Sequence, residues 1–566
     1  MNDKLNNTYL SNKHLVLLSV LILTLIICAN AVAAPVQPEA GQISQEVKKQ
    51  PVLTTPIAVK PLKAQDDTLD QADTNSTLKI NVTAIKITGN TRFSEAELLA
   101  FVSALIGGEH NFAEISASVA HISRFYRQRG YAVARAYLPA QDLKNGVIEI
   151  KVLEGLVGAQ ALDNKSRLSD ARVHNVLADV HTGSLLQANS VDRAMLLLSD
   201  TPGVGGARAS LMPGASVGTS DLLIELDPAK AYNANVEFDN YGSHYTGEYR
   251  LAATAAVNSP LNIGDQLTIR ALSSNDNMTY ARVAYQLPIG GKGFKLGGAY
   301  SDTRYNFMFN TAKLHGSASS ASIYGTYPFI RSQASNLYGT LTLEQKNLTD
   351  VQAIITTDKK VYLGNLGLVG KYQDGIFGGG ITSFDSSLVA GKLSMDSLSL
   401  SQDTGATSAN SNGKFSKLNI NLIRLQHITD DNFLSIAVSG QQASKNLSSS
   451  EKFYLGGANG VRAYPQGEAG GDQGWMINAE LHHSFTNNLQ GIAFYDSGSI
   501  DINHNAYLTD NNTRSISGAG FGLNAQYKML QIKTAVAWRL FGGQANSEPV
   551  TMDRNPRLWI QISGAI

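Results

Sequence analysis

The run Phe453-Tyr-Leu-Gly-Gly-Ala-Asn-Gly-Val-Arg-Ala-Tyr464, continued by Gly470-Gly-Asp-Gln-Gly-Trp475 and by Phe494-Tyr-Asp-Ser-Gly498, decides how this chain is read. Its first two pieces describe a glycine-rich hairpin, residues 453–475, whose tip carries Arg462. The third reads as a strand bearing Asp496. In a barrel lumen these opposite charges can meet and pin the hairpin inside. The remaining residues therefore have to be read for whether such a barrel exists.

Working outward, the texture of a barrel begins near Ala231. Tyr232, Ala234, Val236 and Phe238 alternate with Asn233, Asn235, Glu237 and Asp239, and Tyr249, Leu251, Ala253, Ala255 and Val257 repeat the pattern. Further runs follow at Leu267–Ala271 and Ala281–Leu287, separated by turn clusters such as Ser273-Ser-Asn-Asp-Asn277. Each run is about ten residues, the length of a tilted transmembrane strand. A soluble β-sandwich alternates too. Three features favour the membrane: a polar face of Asn, Thr, Ser and Arg, an apolar face of small and medium residues with scattered aromatics, and persistence of the pattern through Leu558, Ile560 and Ile562. Residues 229–566, at about 20 residues per strand and connection, give about sixteen strands. Long polar stretches such as Ser401–Gly413 suit extracellular loops.

Composition agrees. Charged residues are 16% against 43% hydrophobic, and glycine numbers 51; such a chain is too hydrophobic for disorder. Lys plus Arg (46) balances Asp plus Glu (46), so no net field draws nucleic acid. Residues 1–33 read as a signal peptide: Lys4, Lys13 and His14 precede the apolar run Leu15–Cys28, and Ala31-Val-Ala33 offers a cleavage site. That run is short for a membrane anchor, which needs about 20 apolar residues. Cys28 is the single cysteine, so the mature chain is expected to hold no disulfide and no thiolate metal site.

Residues 34–78 read as linker, with a short helix over 38–50 that carries Ile43 and Val47 on one side. Two β-α-α-β-β units follow, at 79–154 and 155–228. In the first, Ser94-Glu-Ala-Glu97 is a capping box for a helix running to the Gly107-Gly108 stop. A second helix spans Ile115–Tyr126, and strands are expected at Tyr131–Leu138 and Val147–Leu153. In the second unit, Leu156–Leu162 is a strand, Val173–Val180 and Val191–Leu198 mark helices with Ser190 as N-cap of the latter, and Gly206–Leu211 and Ser220–Leu226 form a hairpin.

At this point the chain resembles a family. Tyr137-Leu-Pro-Ala-Gln-Asp-Leu-Lys-Asn-Gly-Val-Ile-Glu-Ile-Lys-Val-Leu-Glu-Gly155 is similar to the end of the first POTRA domain of two-partner secretion transporters, the haemolysin secretion/activation proteins of Gram-negative outer membranes. Leu197-Leu-Ser-Asp-Thr-Pro-Gly-Val204 and Gly218-Thr-Ser-Asp-Leu222 look like their second POTRA domain, and Phe238-Asp-Asn-Tyr-Gly242 like their first barrel strand. Val461-Arg-Ala-Tyr464 and Phe494–Gly498 match the hairpin and barrel-wall motifs, although position 463 is Ala where many relatives carry Gly, and the chain ends in Ile566 instead of an aromatic residue.

The resemblance implies a transmembrane β-barrel of about 16 strands behind two periplasmic POTRA domains, with a plug helix near 38–50. The implied task is export of a large exoprotein of haemolysin or adhesin type across the outer membrane. It further implies contact with outer-membrane lipids, biogenesis through periplasmic chaperones and the barrel-assembly machinery, a monomer, no nucleic acid, and no cofactor, metal or catalytic group. An outer-membrane insertase of the same superfamily is the alternative. The hairpin motif is Gly460, Val461, Arg462 and Tyr464, and the wall motif Phe494, Asp496 and Gly498. Capture of the client by strand addition points to a POTRA sheet edge, with Tyr131–Leu138 and Ser220–Leu226 as candidates.

Other constellations read as structural. Glu149, Glu154, Asp200 and Asp221 suit a solvated POTRA face. Gly214-Ala-Ser-Val-Gly218 has the spacing of a hydrolase elbow but joins two strands, where the elbow needs a strand-to-helix turn. His482 and His483 are adjacent on a strand and face opposite ways. No nucleotide-binding loop is present.

Overall fold

A computed structural model describes residues 38–47, 79–142, 144–309, 312–352, 355–509 and 511–565. The signal peptide expected at 1–33 and, apart from residues 38–47, the linker expected at 34–78 lie outside the described residues.

The first helix, α1, is Ala40–Glu46, shorter than the span 38–50 expected from sequence. Ala40, Ile43 and Val47 are buried, as their spacing at i, i+3 and i+7 dictates for one helix face.

A first unit contains β1 (Lys79–Asn81), β2 (Ala84–Thr88), α2 (Glu95–Leu99), β3 (Glu109–Asn111), α3 (Phe112–Gln128), β4 (Arg135–Tyr137) and β5 (Val147–Leu153). Its three-stranded sheet has the order β2-β5-β4, with β2 and β5 parallel. The Ser94/Glu97 capping box forms as expected. The helix it starts, however, ends at Leu99, and a separate 3₁₀ turn follows at Ser103–Leu105. A second capping box, Asn111/Glu114, starts α3. The strand expected at Tyr131–Leu138 is shorter than its apolar residues suggest. Only Arg135–Tyr137 pairs; Tyr131 lies in a turn, its ring packed against Phe93 and Tyr126.

The second unit contains β6 (Leu156–Asn164), α4 (Asp170–Val176), α5 (Ala188–Ser199), β7 (Val204–Pro213) and β8 (Thr219–Pro228), in the sheet order β6-β8-β7. Ser190 does not cap α5; Gln187 stands at the N-cap, and Ser190 sits inside the first turn with its hydroxyl on the Gln187 side chain. Ser220–Leu226 belongs to the central strand, parallel to β6 and antiparallel to β7. It offers no free edge. The free edges are β6 and β7 here, and β2 and β4 in the first unit.

Sixteen antiparallel strands then close into a barrel, from Tyr232–Asp239 to Arg557–Ala565, and the last strand pairs back onto the first. Alternation sorts the side chains: on strand Ser335–Gln352, Leu341 and Leu343 face outward, exposed, while Lys346 and Leu348 are buried inside. Several strands are longer than the ten-residue runs of the sequence, up to 20 residues at Ala312–Arg331 and Ile355–Asp374. The hydrocarbon layer uses only about 9–11 residues of each strand, so these walls stand well clear of it. The interior is also not uniformly polar. Tyr280, Phe307, Leu314, Leu348, Val361 and Phe415 form an apolar collar in one cluster with Ala40, Ile43 and Val47 of the α1 segment.

Candidate functional site

Strands Asn432–Ala443 and Gln473–Thr486 are neighbours in the barrel wall, and the segment between them folds back as the hairpin. Its own ladder is short, pairing Phe453–Tyr454 with Gly470–Gly471. The tip is closed by backbone bonds from Val461 N–H to the Leu455 carbonyl (2.7 Å) and from Gly457 N–H to the Tyr464 carbonyl (3.2 Å). Gly460 is required by proximity: a Cβ there would stand 2.1 Å from the Leu455 carbonyl oxygen.

This turn aims Arg462 at the wall. Its Nε and Nη2 donate to the two oxygens of Asp496 at 2.8 and 2.7 Å, and its backbone N–H adds a third bond at 3.1 Å. Asp496 is fully buried. A two-pronged guanidinium–carboxylate contact fixes direction as well as charge. Three partners complete the socket. The Glu480 carboxylate accepts from Arg462 Nη1 at 2.6 Å; Asn478 donates to Asp496 at 2.8 Å and to the Gly460 carbonyl at 2.9 Å; Trp559 donates its indole N–H to the Arg462 carbonyl at 2.7 Å. Below lies Phe494, its ring centre 3.5 Å from the guanidinium carbon.

Sequence reading brought Arg462, Phe494 and Asp496 together but missed Glu480, Asn478 and Trp559. The signal for the first two is register: Asn478 stands directly opposite Asp496, and Glu480 opposite Phe494. Tyr464 points away from the socket and is buried, its hydroxyl 2.8 Å from the Phe541 carbonyl and 2.9 Å from that of Gly543. Val461 is buried in the core between hairpin and wall with Leu455 and Ile516. Gly498 leaves room for Leu455, whose Cδ2 would lie 2.7 Å from a Cβ there.

Three buried carboxylates hold the rest of the hairpin. Glu451 pairs with Lys346 and, at 3.1 Å, with Lys417. Glu468 pairs with Arg514 at 3.0 Å and accepts from the backbone of Asn546 and Ser547. Asp472 pairs with Lys452 at 3.0 Å and accepts from the His504 backbone.

Helix α1 is held beside this segment. Glu39 pairs with Lys359 at 2.9 Å and accepts from Ser449 Oγ at 2.8 Å. Ala40 N–H donates to Asp350 at 2.8 Å. Gly41 permits the contact, because a Cβ there would meet Ser449 Oγ and Ser450 N at 2.5 Å.

The acids read as a solvated face divide. Glu149 remains exposed. Asp221 accepts from Ala159 N–H across the sheet. Glu154 is 6% exposed and takes hydrogen bonds from Thr91, Arg92 and Tyr126. Asp200 leaves its domain to bond Arg331 of the barrel. Gly214–Gly218 forms a hairpin turn closed by Gly214 N–H on the Thr219 carbonyl. His482 bonds Glu480 and Gln490, while His483 bonds Asn432 on the other side. Among the described residues no group of His, Cys, Asp and Glu could hold a metal ion.

Comparison with known proteins gives a consistent picture. The family model described as haemolysin secretion/activation protein ShlB/FhaC/HecB matches residues 218–525, and a ShlB-type POTRA domain matches residues 80–155. The chain is 29% identical over 493 residues to the Heme/hemopexin transporter protein HuxB of Haemophilus influenzae (strain 86-028NP), covering 83% of this chain and 85% of the relative. It is 24% identical over 522 residues to the Hemolysin transporter protein ShlB of Serratia marcescens, covering 89% and 88%. In fold it resembles CdiB from Escherichia coli, with a TM-score of 0.72 at 18% identity over 93% of this chain and 96% of that one.

Proposed function

Because the chain belongs to the haemolysin secretion/activation family, and is thus an outer-membrane transporter of a partner exoprotein with its POTRA domains in the periplasm, we propose how its parts divide that work. The POTRA units capture the client in the periplasm through a free sheet edge. The barrel then conducts it once the plug helix has left the collar. The Arg462 hairpin is a fixed internal feature of the pore, held to the wall by Asp496. The transporter is a monomer, and its biogenesis uses periplasmic chaperones and the barrel-assembly machinery. The client is a large exoprotein of haemolysin or adhesin type. The name of the Haemophilus relative makes a haem-handling exoprotein the first client to test.

The observation that carries this reading is the two-pronged Arg462–Asp496 bond, backed by Glu480 and Asn478, inside a closed sixteen-stranded wall. Removing one partner of a well-buried pair costs about 3–5 kcal/mol, enough to loosen the hairpin tip from the wall. Arg462→Ala and Asp496→Ala are each expected to lower client secretion and to make the hairpin accessible to protease from outside. Wild-type secretion by both variants overturns the role. Depletion separates exporter from insertase: loss of one secreted protein marks the exporter, and a general loss of outer-membrane proteins marks the insertase.

A further inference from the structure

The Leu197–Val204 string ends α5, one of the two helices of the second POTRA unit that touch the barrel. Its C-cap residue, Asp200, meets Arg331 with Nε at 2.6 Å from one carboxylate oxygen and Nη2 at 2.9 Å from the other. The Arg331 side chain is 0% exposed. Its remaining nitrogen is committed to the Asn336 side chain and the Ser332 carbonyl, both at 3.0 Å. A second barrel cation, Lys295, donates to the Asp200 carbonyl at 3.0 Å. Two cations thus converge on a helix C-terminus, where the helix dipole and the orphan carbonyls favour positive charge.

The contact is broader than this pair. Arg193, on the same helix, donates to the Pro328 carbonyl at 2.8 Å. Arg167 donates to the Asn258 carbonyl at 3.1 Å, and Ser169 N–H to that of Asn262 at 2.9 Å. Glycines let the surfaces close: a Cβ on Gly291 would stand 1.9 Å from the Asn175 carbonyl oxygen, and one on Gly264 2.3 Å from Thr201. Three successive turns at the POTRA end of the barrel, near residues 258–265, 289–294 and 328–335, therefore seat one domain.

We propose that Asp200 and Arg331 are positioning residues for export, bolting the barrel-proximal POTRA unit to the pore as a fixed platform that sets where the client is handed over. A carboxylate on the domain and a guanidinium buried in the wall lock orientation, because a two-pronged pair tolerates little rotation. Motion during transport then belongs to the plug helix and the first POTRA unit. This rests on the export reading above, but not on the Arg462 latch.

The test uses the full-length protein in bilayers, spin-labelled at two exposed positions, Val217→Cys in the turn between β7 and β8 and Asp430→Cys in a barrel turn on the POTRA side. Asp200→Asn and Arg331→Gln are expected to broaden the inter-label distance distribution at least twofold and to lower secretion about tenfold. The barrel is expected to keep its heat-modifiable mobility. The swap Asp200→Arg/Arg331→Asp is expected to restore the narrow distribution in part. An unchanged distribution in a secretion-defective Asp200→Asn overturns the proposal, as does wild-type secretion from a broadened one. Because the distance is read without any client, failure here is distinguishable from failure of the export reading.

Discussion

Ala463 stands where a glycine would be expected from the family motif, and the reason it is tolerated lies across the interface. It does not adopt a positive φ, so the freedom of glycine is not needed there. Its methyl group is buried against Gly518, where an added Cβ would come within 2.4 Å of the Ala463 Cβ and 3.0 Å of the Trp538 carbonyl oxygen. One Cβ fits between hairpin and wall, and two do not. Gly518→Ala is therefore expected to destabilise the seated hairpin by about 1–3 kcal/mol, as overpacking of a filled site does. Adding Ala463→Gly should recover part of the loss, giving a coupling that isolated sites lack. Protease accessibility of the hairpin in the four proteins of this cycle measures it, and strict additivity would count against a shared space. The socket shows the same dependence on register. Arg462 and Asp496 could be paired from their strings alone. Glu480 and Asn478 could not, because they face the socket only once strand Gln473–Thr486 is aligned with strand Leu489–Asp501.

Among the elements, local signals were read well and non-local ones poorly. Capping boxes and alternation lie within a few residues of each other, so the existence of the four POTRA helices and of the barrel strands is legible, although the first helix stops at Leu99 and Gln187, not Ser190, stands at the N-cap of α5. Sheet order is not local. Ser220–Leu226 looked like an edge because its hairpin partner is adjacent in sequence, whereas β6, which covers its other side, comes more than fifty residues earlier. Asp200 looked solvated because Arg331 is 131 residues away. Glu154 was misread for the same reason: its donors Thr91 and Arg92 come from the loop after β2. Burial alone would raise its pKa, but the bonds from Thr91, Arg92 and Tyr126 outweigh that and hold it below the ordinary value of 4.5. A carboxylate whose folded pKa is depressed stabilises fully above its unfolded value and loses that contribution as pH falls through the folded one. Protection of the Thr91 and Arg92 amides in the full-length protein, taken relative to the intrinsic exchange rate at each pH, should therefore be high at pH 7 and fall below pH ~4.5. Glu154→Gln should exchange faster at pH 7, by the loss of about 1–3 kcal/mol, and show a flatter pH response. A variant with the wild-type pH profile would remove Glu154 as the cause.

For the whole molecule, the lumen holds two inserts that are built differently. The hairpin is tied to the wall by carboxylate–cation contacts at Asp496, Glu451 and Glu468, is braced by Asp472 on the His504 backbone, and belongs to the wall on both sides. Helix α1 has seven residues, a small apolar face in the collar, and polar ties at both ends: Glu39 and Ala40 at its start, and at its end Gln45 donating to the Ser449 carbonyl at 3.3 Å and the Glu46 carbonyl accepting from Arg250 at 3.4 Å. A helix this short has little stability of its own, so its place depends on those ties. Departure of helix α1 for the client, as proposed, requires one insert that is released and one that remains. The Glu39–Lys359 contact is the point where this balance can be shifted without touching the hairpin. Glu39→Gln keeps the side-chain volume but leaves Lys359 without its carboxylate; a loss of about 1.4 kcal/mol shifts an equilibrium tenfold. In planar bilayers the variant is expected to open about ten times more often than wild type, with the same full-open conductance, since the hairpin stays seated. Arg462→Ala should instead change the open conductance itself. Charge reversal at both positions, Glu39→Lys with Lys359→Glu, should return opening toward the wild-type frequency. If Glu39→Gln stays as closed as wild type, the helix is retained by its apolar face and not by its first turn.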